Sequence, residues 1–376
     1  MATSSATTES AEPPASPPPG DAGGPQLGLA DRIPLRRIIR WGLAVALVLG
    51  IASGAYQTLA AGVFSPAQWR DLVVFGIAQG SIYALIALGY TLVYGILFMI
   101  NFAHGEVFMA GGFTAFFAAR AMDQAGFLNQ QPVLAVLILL AIAMAVSTTV
   151  AVTLERVAYR PLRNAPRLIP LITAIGASLF LQYSFRGLYG EDIHSYPRID
   201  ALTGTWTIAG IPILRTQAIV IVAALALMVG LYFFISRTTM GRSMRAVAED
   251  REIASLMGID VNRVIVTTFA IGGMLAGAAG ILYALVFRQV HFLMGFLPGI
   301  KAFTAAVIGG IGSIIGAAVG GLLLGLLEAV APFLLLSGAG IPAPNQLKDV
   351  IAFSILVIVL IMRPGGLFGS REPEKL

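Results

Sequence analysis

Long uncharged apolar stretches alternate along this chain with short polar connections that carry its arginines. Such stretches run over 41–62, 72–97, 132–154, 168–185, 216–236 and 264–287. A helix needs roughly 20 residues to cross about 30 Å of hydrocarbon, and these stretches match that length. A membrane barrel would instead show segments of about ten residues alternating apolar and polar, so the pattern predicts spanning helices. Two further stretches are different: 107–119 is short, and 302–336 is interrupted by Gly309, Gly310, Gly312, Gly316, Gly320, Gly321 and Gly325. Glycine-broken backbone at membrane depth is tolerated where it is buried in protein or lines a cavity. Residues 300–309 are therefore expected to form a half-helix ending at the break from Gly309 to Ser313, with a full span following at 314–336. Close helix packing through small residues, such as Gly316 with Gly320, explains the same glycines equally well. The predicted fold is all-α, a polytopic transmembrane helix bundle.

Composition excludes the soluble alternative. Of the 376 residues, 57% are hydrophobic and 11% charged, against about 25% charged in soluble domains, and the mean hydropathy is +0.85. Without a single cysteine there is no disulfide framework, thiolate metal site or cysteine nucleophile. Three scattered histidines, His104, His194 and His291, offer no metal cluster, so no metal and no cofactor are expected. Residues 1–35 begin with an Ala, Ser, Thr, Pro and Gly tract including Pro13, Pro14, Pro17, Pro18 and Pro19. That tract lacks the apolar side chains that offset the entropy of ordering and reads as a disordered tail. It is not a cleavable signal peptide, since no basic start leads into a short apolar core. An additional N-terminal helix is expected within 36–65, and the main transmembrane domain, of about eight core spans, over 66–376.

A net charge of +5 belongs to membrane-flanking loops rather than to a nucleic-acid surface. With the N-terminus inside, the inner face collects arginines at 32–40, 156–167, 237–263 and 363–371, together with Lys375. The outer face keeps Arg70, Arg120, Arg186, Arg198, Arg215, Arg288, Lys301 and Lys348, so two thirds of the 24 cations lie inside. Loop cations concentrate on the cytoplasmic side, which predicts cytoplasmic N- and C-termini.

Two features carry candidate chemistry. In the inner connection after residue 236, Ala246, Ile253, Leu256 and Met257 recur at helical spacing beside Glu249, Asp250 and Glu252, and Gly258 can end a helix in a left-handed conformation. This predicts one short amphipathic helix. An anionic leaflet would repel its acidic residues, so a protein groove suits its apolar face better than lipid headgroups. The second feature is a set of polar groups in apolar surroundings: Gln79, Ser81, Tyr83, Tyr90, Asn101, His104, Glu106, Gln182, Thr304 and Glu328. Such groups face a bundle interior or an aqueous path. His104 and Glu106 fall near the inner end, where a solvated interfacial turn and a bundle-facing role are equally open, whereas Glu328 lies deeper and suits a structural hydrogen bond, or else an interhelical partner or gate. No phosphate-binding Gly-x-x-x-x-Gly-Lys-Ser/Thr loop, Gly-x-Ser-x-Gly elbow or His-Glu-x-x-His helix occurs, so no enzyme is expected. Energy for moving a solute must come from a gradient or a partner.

The run Gly-Ser-Ile-Tyr-Ala-Leu-Ile-Ala-Leu-Gly-Tyr-Thr-Leu-Val-Tyr-Gly-Ile at 80–96 continues into Met-Ile-Asn-Phe-Ala-His-Gly-Glu-Val at 99–107. Further on come Glu-Arg-Val-Ala-Tyr-Arg-Pro-Leu-Arg at 155–163, the 241–259 connection, Lys-Ala-Phe-Thr-Ala-Ala-Val-Ile-Gly-Gly-Ile-Gly-Ser at 301–313 and the closing Arg-Pro-Gly-Gly-Leu-Phe-Gly. From about residue 70 onward, this order of motifs resembles the LivH-type permease of bacterial branched-chain amino-acid ABC importers; residues 1–69 have no counterpart in that pattern. The resemblance implies an inner-membrane subunit that pairs with a LivM-like permease, two cytoplasmic ATP-binding subunits and a periplasmic solute-binding protein. It also implies that the 241–259 connection docks into the ATPase, through Arg245, Ala246, Ala248, Glu249, Asp250, Ala254, Gly258 and Ile259. Gln79, Tyr83, Asn101, Thr304 and Glu328 are the expected path residues. Related permeases share these motifs while carrying urea, amides or other amino acids. An ion-coupled secondary transporter also uses broken helices, but it has no need of a cytoplasmic docking helix.

Overall fold

The computed structural model describes residues 35–368 apart from Asn164, Arg167, Ala209 and Pro364. The expected tail, save Leu35, lies outside the described residues, as do Arg32, Arg371 and Lys375 of the charge count and the last glycine of the closing motif. The chain divides into two units, 1–49 and 50–376. In the first, the described part is helical, the beginning of α1 (Leu35–Ala60).

The second unit holds the rest of α1 and an almost wholly helical body. Its long helices are α2 (Pro66–Leu97), α3 (His104–Gln124), α4 (Pro132–Leu154), α5 (Leu168–Tyr189) and α6 (Arg215–Arg237). Two short helices follow, α7 (Thr239–Glu249) and α8 (Arg251–Leu256), then α9 (Val261–Phe287), α10 (Phe296–Gly309), α11 (Ile314–Leu336) and α12 (Lys348–Met362). Among the described residues, seven helices are long and apolar enough to cross a membrane. The expected stretches fall within α2, α4, α5, α6 and α9, and the first, 41–62, runs two residues past the end of α1. The short stretch at 107–119 extends to the 21 residues of α3. The closing helix α12 was not among the predicted stretches, although the charge pattern places its two flanks on opposite faces.

Helix α2 starts where sequence chemistry says it should. Ser65 accepts a hydrogen bond from the Gln68 amide while the Gln68 side chain accepts from the Ser65 amide, and Pro66 occupies the first turn, where its missing N–H costs nothing. Most of α2 and α9 is buried, whereas α4, α5 and α6 turn large apolar side chains such as Val133, Phe180 and Val222 outward. An all-round apolar helix of this kind has lipid for its solvent. Helices approach closely through glycine. A Cβ on Gly325 would run into the backbone of Gly80, and one on Gly321 into that of Ala84, so these four residues set how near α2 and α11 come.

At 14 residues, α10 rises about 21 Å, too short to cross the hydrocarbon. It ends at Gly310 (φ 104°) and Gly312 (φ 95°), a left-handed stretch that suits glycine, and Ser313 caps α11 by accepting from the Gly316 amide at 3.0 Å. Gly316 and Gly320 lie against Gly309 and Ala305 of the half-helix, so the half-helix and the small-residue packing are the same feature. The end of α1 is tied to the body by the Gly338 amide, which donates to Thr58 Oγ1 at 2.8 Å.

Two small antiparallel pairings escaped the sequence reading: His194–Ser195 with Gln289–Val290, and a hairpin of Thr205–Ile208 with Ile211–Leu214. The hairpin turns through Gly210 at φ 81°, between β-branched runs short enough to look like ordinary loop.

Candidate translocation and coupling sites

Helices α2, α10, α11 and α12 bring charge together inside the body. Lys301 Nζ lies 2.6 Å from Glu328 Oε1 and 2.6 Å from Asp349 Oδ1, and Lys348 Nζ lies 3.7 Å from Glu328. Lys301 is 4% exposed and Glu328 2%, so the charge count erred in treating Lys301 as a loop cation. The reason is local: the half-helix carries it inward, and two carboxylates compensate a charge that could not be buried alone. Gln79 Nε2 donates to Tyr83 Oη at 2.7 Å, and Tyr83 lies beside Glu328. Three of the five expected path residues, Gln79, Tyr83 and Glu328, therefore share one cluster. Thr304 is buried and donates to its own helix at Ile300 O, 3.0 Å away. Asn101 lies elsewhere, accepting from Tyr159 Oη at 2.6 Å.

A second polar group surrounds the start of α3. Glu106 Oε1 accepts from Gln182 Nε2 at 2.7 Å and from Ser178 Oγ at 3.2 Å, both on α5. His104 meets Tyr90 edge to face with ring centroids 4.8 Å apart. Both residues are buried, so of the two readings the bundle-facing one fits and the solvated turn does not, because α10 and α5 close over that end of α3. The i, i+4 spacing of Ser178 and Gln182 was the available signal for their shared face. Glu106 stood out in the sequence as a polar group, but nothing local tied it to Ser178 and Gln182, 72 and 76 residues further on.

The connection after α6 forms two helices rather than the single one expected. Asp250 is extended (φ −154°) and caps α8, accepting from the Glu252 and Ile253 amides at 2.8 and 2.9 Å. An Asp side chain competes well for free amides, so it starts a helix more readily than it sits inside one. Thr238 similarly caps α7 through the Gly241 amide. Ala254 is buried, Ala246 and Ala248 are half-buried, and Met244 and Val247, missed in the sequence, complete the inward face. Arg245 donates to the Ile235 carbonyl and Ile259 N to Ala254 O at 3.1 Å; Glu249 is exposed. Gly258 takes φ 83°, the left-handed ending anticipated. Ile253, Leu256 and Met257 are 59%, 87% and 78% exposed, an apolar patch left open among the described residues.

This connection is mechanically tied to the bundle. Arg251 Nε donates to the last-turn carbonyl of Ile96 in α2 at 3.0 Å. Burial, and secondarily the like charge of Arg163, lower the Arg251 pKa. The neighbouring corner after α4 pairs buried Glu155 with Arg163, which also donates to Asn262 Oδ1 at the start of α9. The loops around 155–163 and 251–263 thus hold the ends of α2, α4 and α9 together.

Comparison with known proteins gives a coherent result. Residues 72–360 match the family model described as the branched-chain amino acid transport system permease component. A high-affinity branched-chain amino acid transport system permease protein, BraD, from Pseudomonas aeruginosa is 45% identical over 307 residues, covering 81% of this chain and 97% of its own. The protein LivH of Escherichia coli, bearing the same description, is 42% identical over 306 residues, 80% of this chain and 96% of that one. A probable branched-chain amino acid transport permease from Methanocaldococcus jannaschii is 27% identical over 298 residues, 78% of this chain and 90% of its own. No solved structure matches significantly.

Proposed function

The chain belongs to the branched-chain amino acid transport permease family, and from that premise we propose that it passes leucine, isoleucine and valine across the bacterial inner membrane on energy from partner ATPases. In this reading a periplasmic binding protein delivers the amino acid, a LivM-like permease supplies the other half of the path, and two ATP-binding subunits dock from the cytosol. Residues 36–65 add a helix to the permease domain of 66–376, and both termini are cytoplasmic. The chain is a conduit rather than an enzyme.

The observation that carries the reading is the uncovered patch of Ile253, Leu256 and Met257, on a segment fastened through Arg251 to α2. An apolar patch on a connection held by a charged hydrogen bond suits a protein groove that pushes on the bundle. ATP-driven closure of the ATPase pair then moves α7 and α8 as a unit, switching the bundle between outward-open and inward-open states. Gln79, Tyr83, Asn101, Thr304 and Glu328 line or gate the path. The test is leucine uptake by the complete importer in proteoliposomes with this segment altered. Gly258→Trp or Glu249→Arg is expected to lower both uptake and binding-protein-stimulated ATP hydrolysis; normal values for both would overturn the coupling role of the segment. The purified chain alone, without nucleotide or companions, is expected to carry no leucine.

A further inference from the structure

Glu106, Glu155 and Glu328 are buried glutamates that each keep one unpartnered oxygen; Glu155 and Glu328 are ion-paired with Arg163 and Lys301, whereas Glu106 has no ion pair among the described residues. Glu106 is 1% exposed, and while its Oε1 accepts from Gln182 and Ser178, its Oε2 has no partner among the described residues. The free oxygen lies near Gly295, where a Cβ would stand 2.9 Å from Oε2, and both residues border an open space. That space belongs to a cleft of about 240 Å³ between α5 and α10. Apart from Glu106, Ser178 and Tyr90, its walls are apolar, with Phe102, Ile175, Leu179 and Ile300 among them. Ile175 and Leu179 are open to the surface of this chain, so the cleft has a mouth.

We propose that this cleft is an amino-acid subsite of the permease, in which Glu106 Oε2 receives the α-ammonium group and the apolar walls receive a branched aliphatic side chain. An unsatisfied buried carboxylate oxygen is costly, and a charge-assisted hydrogen bond from an ammonium removes the cost. A neutral amide offers an N–H but leaves the charge uncompensated, and a carboxylate is repelled. The volume is below the roughly 300–1,000 Å³ of pockets for larger ligands, which suits a compound of amino-acid size. Neither wall alone defines such a compound. A single anchoring charge beside an aliphatic wall selects a small amphiphile bearing one cation. The inference rests on the importer reading for its biological meaning, and it refines that reading by favouring amino acids over urea or amides.

The test uses the complete complex in lipid nanodiscs without the binding protein, and two probes that each keep half of leucine. 3-Methylbutylamine carries the ammonium and the branched chain; 4-methylpentanoate carries the carboxylate and the branched chain. In saturation-transfer NMR the amine is expected to give a signal and the acid none, and Glu106→Gln is expected to reduce the amine signal at least tenfold. The Gln amide oxygen can still accept from Gln182 and Ser178, and assembly is checked by gel filtration. Leu179→Trp, at the exposed mouth, fills the cleft without touching the carboxylate and is expected to remove the amine signal too. No amine binding in the wild type, equal binding of both probes, or amine binding untouched by both substitutions would overturn the subsite. Leucine uptake in proteoliposomes is scored separately: failure of the wild-type importer to take up leucine counts against the importer reading, while the amine result alone judges the subsite.

Discussion

Lys301 and Glu328 stand to each other as buried ions do, so removing one is expected to cost more than removing both. Breaking a buried pair leaves an uncompensated charge, at about 3–5 kcal/mol, whereas replacing both by apolar groups of similar size is close to neutral. Lys348, 3.7 Å from Glu328 and partly exposed, softens the loss without abolishing it, and Asp349, the second carboxylate on Lys301, is about one-third exposed and keeps access to water whether one or both of the pair are replaced. Lys301→Met is therefore expected to lower the thermal midpoint of the detergent-purified complex clearly, and Lys301→Met with Glu328→Leu to recover much of it. A double variant no better than the single one would show that the pair is not coupled in this way. Glu328 could be singled out from sequence, since an acid in an apolar run is conspicuous and needs a partner. Its partner could not, because Lys301 is 27 residues away and lies in a stretch whose burial depends on the half-helix turning inward. Glu106 repeats the lesson, since its hydrogen-bond donors come from α5.

Among elements, glycines divide into those that hold helices together and those that face open space, and substitution should have opposite signs in the two classes. Gly325 has no room for a Cβ against Gly80, while nothing lies within 4 Å of one at Gly230 in α6. Gly325→Ala is expected to destabilise by at least about 1–3 kcal/mol, the usual cost of overpacking. Gly230→Ala should stabilise by roughly 0.4–1 kcal/mol through lost freedom of the unfolded chain. Thermal unfolding in detergent decides both, and equal effects would refute the packing argument. Further along, Asp250→Ala removes the α8 cap and is expected to cost about 1 kcal/mol locally. Hydrogen exchange should then quicken across 251–256 while α9 keeps its protection. The single coupling helix expected from periodicity became two because the apolar spacing bridges Asp250 without registering that its side chain prefers to begin a helix.

For the whole molecule, the family match begins at residue 72 and Ser65 caps α2 without help from α1. A chain beginning at Val63 is thus expected to retain ATP-driven leucine uptake in the reconstituted importer; its loss would make α1 part of the transport machinery. The amino-acid sequence determined the placement of most spans and the left-handed ending at Gly258, and marked the glycine break after residue 309, because each follows from rules that act within one segment. About eight core spans were expected, whereas seven helices among the described residues are long and apolar enough, and α12 was missed. A helix in hydrocarbon must satisfy its own backbone, so uncharged length alone announces it. Tertiary structure alone decided which face of each helix meets protein, which cation answers Glu328, and where Glu106 finds its donors. In water an apolar stripe points to the core, but lipid is as apolar as a neighbouring helix, so hydropathy gives no direction. Small residues and polar groups set the contacts instead, and their partners are named only when distant segments come together.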